Sequence, residues 1–103
     1  MKIIKVLSEK IKDELCDAKS YVKMALEYKE EWPELSRTLY NLSAQEMEHM
    51  NLLHNEVAAI IKKYRETNGD PPANMLAVYD YLHKEQIDKA AEVKVLQNMY
   101  KET

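Results

Sequence analysis

The chain has 103 residues, of which 46% are hydrophobic and 32% are charged, and its formal net charge is −3. That length allows one domain with a modest core, and acidic and basic residues are mixed along the chain, so no basic patch is available to nucleic acid. A single cysteine, Cys16, excludes an intramolecular disulfide, a CxxC redox pair and a four-cysteine metal site.

Helix-breaking residues occur at only two places and divide the chain into three long predicted helices. Pro33 suits the first turn of a new helix. In the segment TNGDPP, residues 67 to 72, Gly69 can close one helix, and Asp70 with the two prolines can open the next. The predicted helices cover roughly residues 3–31, 34–66 and 73–101. Because short connections make neighbouring helices antiparallel, we expect a single all-α domain that runs up, down and up.

The start of the first helix bears on where the protein resides. Its sequence, MKIIKVLSEKIKDEL, is charged every few positions and lacks the apolar run of a signal peptide. No segment of the chain approaches the length of a transmembrane helix. We therefore expect a cytoplasmic protein with no membrane partner.

The first predicted helix carries one acidic residue on its apolar side. Apolar residues recur at steps of three and four along it, namely Ile4, Leu7, Ile11, Leu15, Ala18, Val22 and Ala25. Glu14 lies inside the arc that these residues define, whereas the neighbouring acids Asp13 and Asp17 lie outside it. The first helix is therefore predicted to direct the Glu14 carboxylate inward.

The second predicted helix places a carboxylate at the centre of its apolar stripe. The stripe consists of Leu35, Leu39, Leu42, Leu53, Val57, Ile60 and Tyr64. At about 100° of rotation per residue, Leu39 and Leu53 fall within about 20° of Glu46, and His49 lies about 60° to one side. The Glu-x-x-His spacing thus puts a carboxylate and an imidazole on one helical face, one turn apart.

The third predicted helix has an interrupted stripe and no Glu-x-x-His motif. Its apolar residues are Met75, Val78, Tyr79, Leu82, Val93, Leu96 and Tyr100. Gln86 and Lys89 interrupt the middle of this stripe. The two remaining histidines, His83 on this helix and His54 on the second, fall toward stripe margins, and we interpret them as surface or boundary residues.

Two carboxylates that face one core require a positive partner. A buried, unpaired carboxylate costs several kcal/mol or a large shift of its pKa. Oxygen and imidazole ligands suit Fe(II), Mn(II) or Zn(II), and Glu46 and His49 can share one such ion. The alternative is a buried Glu–His or Glu–Lys pair that only fixes the register of the helices.

Segments of the first two helices match a known arrangement of metal ligands. ELCDAKSY gives Glu14, Ala18 and Tyr21 at the spacing Glu-x3-Ala-x2-Tyr, and AQEMEHMNLL supplies Glu46 and His49. Between them, EEWPELSRTL provides an aromatic-x-Glu entry to the second helix. Over roughly residues 7 to 66, this pattern resembles the ferritin-like superfamily, and within it the rubrerythrin-type helix pair. The resemblance implies a carboxylate-bridged di-iron site. Glu14 and His49 would be terminal ligands, Glu46 the bridging carboxylate, and Tyr21 a hydrogen-bond partner of the ligands.

One chain offers only half of the ligands that this family uses. The family fold has four core helices and two sets of a glutamate plus Glu-x-x-His, whereas this chain has one set. A two-fold homodimer doubles any half-site on its axis and rebuilds a four-helix core, a solution that the encapsulated ferritins resemble. Alternatively, Glu85 of the third helix is an extra ligand, although a glutamate at the rim that pairs with a nearby lysine is the commoner role.

Two functions follow from these patterns. In the first, the chain is a di-iron carboxylate protein, a homodimer or higher homo-oligomer. It binds Fe(II), with Mn(II) or Zn(II) as alternatives, and oxidises iron with dioxygen or peroxide, as a ferroxidase or di-iron oxidoreductase does. In the second, it is a metal-free ferritin-like structural or interaction protein, in which Glu14, Glu46 and His49 form a buried polar cluster.

Overall fold

The structure is a computed structural model that describes residues 2–103, and it consists of three α-helices with short connections. Helix α1 spans Lys2–Glu27, α2 spans Pro33–Asn68 and α3 spans Ala73–Glu102. No strand occurs in the described range, and the molecule is elongated, with extents of 56 × 19 × 17 Å. The prediction of an all-α chain with three helices is confirmed.

The first connection begins earlier than the sequence pattern predicted. Helix α1 ends at Glu27 instead of residue 31, and residues 28–32 form the turn. A residue that precedes proline is pushed out of the helical region, and Trp32 accordingly has φ −135° and ψ 71°. Pro33 then starts α2 at a position where a missing N–H costs nothing. The reversal before Pro33 thus uses residues that periodicity alone assigned to α1.

The second connection is closed by the chain's only glycine. Gly69 has a φ of 79°, and its N–H donates to the carbonyl of Arg65 at 3.0 Å. Asp70 does not cap α3, as its carboxylate lies 3.7 Å from the Arg65 Nε atom. Pro72 occupies the N-cap position of α3 without a side-chain hydrogen bond. Of the residues expected at this turn, Gly69 closes α2, and Pro72, one of the prolines expected to open α3 together with Asp70, stands at its N-cap.

Helices α1 and α2 meet along a seam of small residues, formed by Ala18 and Ala25 on α1 and Ser36 and Ser43 on α2. All four are completely buried. The Ser43 hydroxyl donates to the carbonyl of Ala18 at 2.7 Å, and the Ser36 hydroxyl donates to the carbonyl of Ala25. Because both pairs are separated by seven residues on each helix, these bonds fix a single antiparallel register and bring the two backbones close together.

Replacing Ser43 by alanine is expected to lower the free energy of unfolding by about 1 kcal/mol, the usual net value of a buried hydrogen bond. The substitution removes the bond to Ala18, and it also leaves the Gln97 side-chain amide, which donates to the Ser43 hydroxyl at 3.0 Å, without its acceptor. Urea denaturation measures the change. Ser20→Ala, at an exposed position of α1, is the matched control, and equal stability of the two variants would refute the seam's contribution.

Helix α3 packs mainly on α1 and makes few contacts with α2. Its Val93 is fully buried, and the Tyr100 ring stacks on Tyr40 of α2 with a centroid distance of 4.5 Å. Lys19 of α1 pairs with Glu92 at 3.0 Å, and this ammonium group lowers the pKa of the Glu92 carboxyl. Among the described residues, no helix combines the length and apolar composition needed to cross a bilayer.

Candidate metal centre

Three side chains from α1 and α2 converge on one point. Glu14, Glu46 and His49 each offer a ligand atom, and these atoms all lie within 4.8 Å of one another. The His49 Nδ1 atom is 3.5 Å from Glu14 Oε2 and 3.9 Å from Glu46 Oε1. The i, i+3 spacing puts Glu46 and His49 on one face of α2. The seam one turn away places Glu14 opposite them.

One oxygen of this cluster is buried without a hydrogen-bond donor. Glu14 Oε2 is inaccessible to solvent and accepts no hydrogen bond. A buried acceptor with no donor costs about 1–3 kcal/mol, and more if it is charged. The side chains of Glu14 and Glu46 are 23% and 18% exposed, whereas that of His49 is 54% exposed. The cluster is therefore half-buried on the carboxylate side and open on the imidazole side.

The chemistry of the three ligand atoms fits a divalent transition-metal ion. A cation about 2.0–2.2 Å from oxygen and nitrogen ligands places neighbouring ligand atoms about 3.0–3.5 Å apart. The distances of 3.5 and 3.9 Å from His49 lie at or above the top of that interval, and the group as a whole spans up to 4.8 Å, so the side chains must move closer together to hold a cation. Two carboxylates and one imidazole suit Fe(II), Mn(II) or Zn(II). A cation at this point also supplies the partner that Glu14 Oε2 lacks.

The cluster faces away from α3. On α1, Lys19, which pairs with α3, lies about 140° around the helix from Glu14. On α2, Tyr40, which stacks on α3, lies about 120° to one side of Glu46, and His49 lies about 60° to the other side. Helix α3 therefore leaves the exposed edge of the cluster uncovered.

Two further residues singled out from the sequence lie apart from the cluster. Glu85 is exposed beside the groove between α1 and α3, where its carboxylate accepts a hydrogen bond from the Tyr81 hydroxyl at 3.2 Å. Tyr21 is half-buried two helical turns beyond Glu14, and no hydrogen bond joins its hydroxyl to a cluster residue in the described part of the chain. The structure thus brings together Glu14, Glu46 and His49, but not Glu85.

Sequence reasoning missed the residues that hold the cluster's two helices in place. Because Ser36 and Ser43 are polar, the periodicity of apolar residues does not identify them as buried. The available signal was the shared spacing of seven residues between these serines and between Ala18 and Ala25. Small residues at that spacing on two adjacent helices indicate close backbone approach.

The arrangement can hold one cation with three protein ligands and leave its remaining coordination positions directed outward. Those positions can take water, an oxidant or ligands from a second chain. Comparisons of this chain with protein-family models, with curated proteins and with solved structures find no match. A function is therefore argued from the residues and geometry of the cluster itself.

Proposed function

We propose that this chain is a ferritin-like di-iron protein whose site is completed by a two-fold homodimer. Each chain contributes Glu14, Glu46 and His49. The observation that carries the proposal is the buried Glu14 Oε2 atom, which has no hydrogen-bond partner although a second carboxylate and an imidazole lie beside it. A cation resolves this arrangement, because two carboxylates in one half-buried cluster otherwise repel each other.

Exposed apolar side chains lie on the side of α1 and α2 that α3 leaves uncovered. Leu35 is 46% exposed and lies within about 20° of Glu46 around α2. On the same side of α1, Ile3, Val6 and Met24 are also exposed. Exposed apolar side chains along this side of α1 and α2 can be covered in an association surface. An isologous dimer through this face juxtaposes two copies of the cluster, covers both and supplies six ligands.

In the proposed site, Fe(II) is the substrate and the carboxylates set its environment. Glu46 from each chain would be the carboxylate shared by the two irons, and Glu14 and His49 would each be a ligand of one iron. Each Fe(II) gives up one electron, and the two electrons with two solvent protons reduce dioxygen to hydrogen peroxide, or hydrogen peroxide to water. The four carboxylates stabilise the higher charge of Fe(III), and the apolar face limits access of bulk water.

One contact, between His49 and Glu14, favours the competing, metal-free function. A protonated His49 would form an ion pair with Glu14 at 3.5 Å, and such a pair can fix the register of two helices. However, the serine–carbonyl bonds of the seam already fix that register. The cluster is therefore not needed for helix pairing, and metal binding explains it better.

The test is the iron content and the mass of protein loaded anaerobically with Fe(II). We expect about one iron per chain, and a mass of twice the 12.1 kDa of one chain or an even multiple of it. Elemental analysis and light scattering on the same sample give both values. An iron-free, folded monomer under these conditions would exclude the di-iron function and leave the metal-free one.

A further inference from the structure

The chain's other two histidines meet across the cleft between α2 and α3. The rings of His54 on α2 and His83 on α3 have centroids 4.8 Å apart and planes at 83°. His54 is half-buried and His83 is exposed. Within residues 2–103, neither imidazole takes part in a hydrogen bond or ion pair. Two nitrogen-bearing rings from different helices are therefore close together and uncommitted to other partners.

We propose that His54 and His83 form a second metal site, which binds a divalent cation of the imidazole-preferring class, Zn(II) or Cu(II), between α2 and α3. A metal about 2.1 Å from one nitrogen of each ring lies about 3.2 Å from each ring centroid. Ligand angles of about 90–110° then put the centroids about 4.5–5.3 Å apart. The observed 4.8 Å lies within that interval. Rotation of the exposed His83 side chain brings its nitrogen toward the shared position at little cost.

The surroundings of the pair select the kind of cation. The histidines line a cleft of about 370 Å³, which Asn51 and Gln86 also line with their amide side chains. Among residues 2–103, no carboxylate lines this cleft, and the ammonium group of Lys94, which does line it, opposes any cation that lacks strong nitrogen ligands. Hard cations that depend on carboxylates, such as Mg²⁺ and Ca²⁺, are disfavoured there, whereas neutral imidazoles suit zinc and copper.

This site is separate from the carboxylate cluster and does not depend on the iron proposal. His54 lies about 80° from Glu46 on the α3 side of α2, and His49 lies about 60° to the other side. Helices α2 and α3 otherwise make few contacts. A metal ligated by both histidines therefore joins the first half of α3 directly to α2. Metal binding and docking of α3 become coupled, so each stabilises the other.

The test is a Zn²⁺ titration of the full chain, followed by calorimetry and by the NMR signals of the three histidine rings. We expect Zn²⁺ to shift the His54 and His83 signals together. We also expect His54→Ala or His83→Ala to weaken this binding event at least about tenfold, as loss of an imidazole ligand requires. Amide exchange in residues 73–90 should slow when Zn²⁺ is added to the wild-type chain, but not when it is added to His83→Ala.

Glu46→Gln is the matched control, because it disrupts the carboxylate cluster and leaves the histidine pair intact. The second site predicts that Zn²⁺ still shifts His54 and His83 in this variant. If Glu46→Gln instead abolishes all Zn²⁺ binding, or if His83→Ala binds Zn²⁺ as tightly as wild type at the same stoichiometry, the histidine pair is only a ring contact. Since His83 is exposed, its replacement is not expected to disturb folding, and circular dichroism verifies this.

Discussion

Replacing Glu46 by glutamine is expected to reduce bound iron from about one per chain to a trace, a loss of affinity of at least about 100-fold. The amide keeps the size of the side chain but removes the negative charge and the second strong ligand oxygen that a bridging role needs. Glu46 is central because it lies 3.9 Å from His49 Nδ1 and also belongs to the group that includes Glu14. Anaerobic equilibrium dialysis against Fe(II) measures the loss.

In Glu46→Gln, the thermal stability of the protein should no longer depend on the presence of metal. A metal that binds only the folded state, at a free concentration of about 100 times its Kd, adds about 2.7 kcal/mol to the free energy of unfolding. A chelator should therefore lower the Tm of the wild type. The Tm of Glu46→Gln should not respond to the chelator. Glu48→Gln, on the exposed side of the same helix, is the control and should behave as wild type. Iron uptake that survives in Glu46→Gln would place the site elsewhere.

Replacing Ala18 by leucine is expected to destabilise the fold by about 1–3 kcal/mol and to weaken iron binding at the same time. Ala18 has no exposed surface, and its carbonyl accepts the Ser43 hydroxyl across the seam. A leucine there must push α1 and α2 apart. Because Glu14 lies one turn before this position, the separation also moves Glu14 away from Glu46. Urea denaturation and Fe(II) dialysis follow the two effects.

The control for this prediction is Ala77→Leu, which adds the same atoms at an exposed position of α3. It should leave stability within about 0.5 kcal/mol of wild type and should not alter iron binding. If Ala18→Leu is as stable as Ala77→Leu, the helices have room at the seam. The close approach of α1 and α2 would then not determine the geometry of the cluster.

Much of the helical architecture follows from local sequence rules. Few residues in the chain break helices, and Pro33 and Gly69 mark where α2 begins and ends to within two residues of the prediction. Periodicity also identified which acids of the first two helices face inward, and the structure groups Glu14 and Glu46 with His49. That these residues bind iron remains a prediction. The early end of α1 was not predicted. The local sequence does not require a turn at that point, whereas the position of α2 does.

The relation of α3 to the rest of the molecule was not predictable in the same way. An apolar stripe indicates that a face is covered, but not which neighbour covers it. The α3 stripe is weak, since Val93 is the only member that is fully buried in the described chain. Glu85 was therefore proposed as a ligand on the strength of its position along α3, although α3 packs on the far side of α1 and α2. The contact between His54 and His83 likewise depends on how α3 packs against α2, which no local sequence pattern predicts.

The short turn between α1 and α2 has a consequence for the order in which the chain folds. Ala25 and Ser36, the first bonded pair of the seam, are only eleven residues apart, so closing the loop between them costs little entropy. The bonds from Lys19 to Glu92 and from Lys29 to the carbonyl of Tyr100 span 73 and 71 residues, and such distant contacts form slowly. We expect the α1–α2 hairpin to form first and α3 to dock afterwards. Because the cluster belongs entirely to the hairpin, its three ligands come together before the last third of the chain has taken its place.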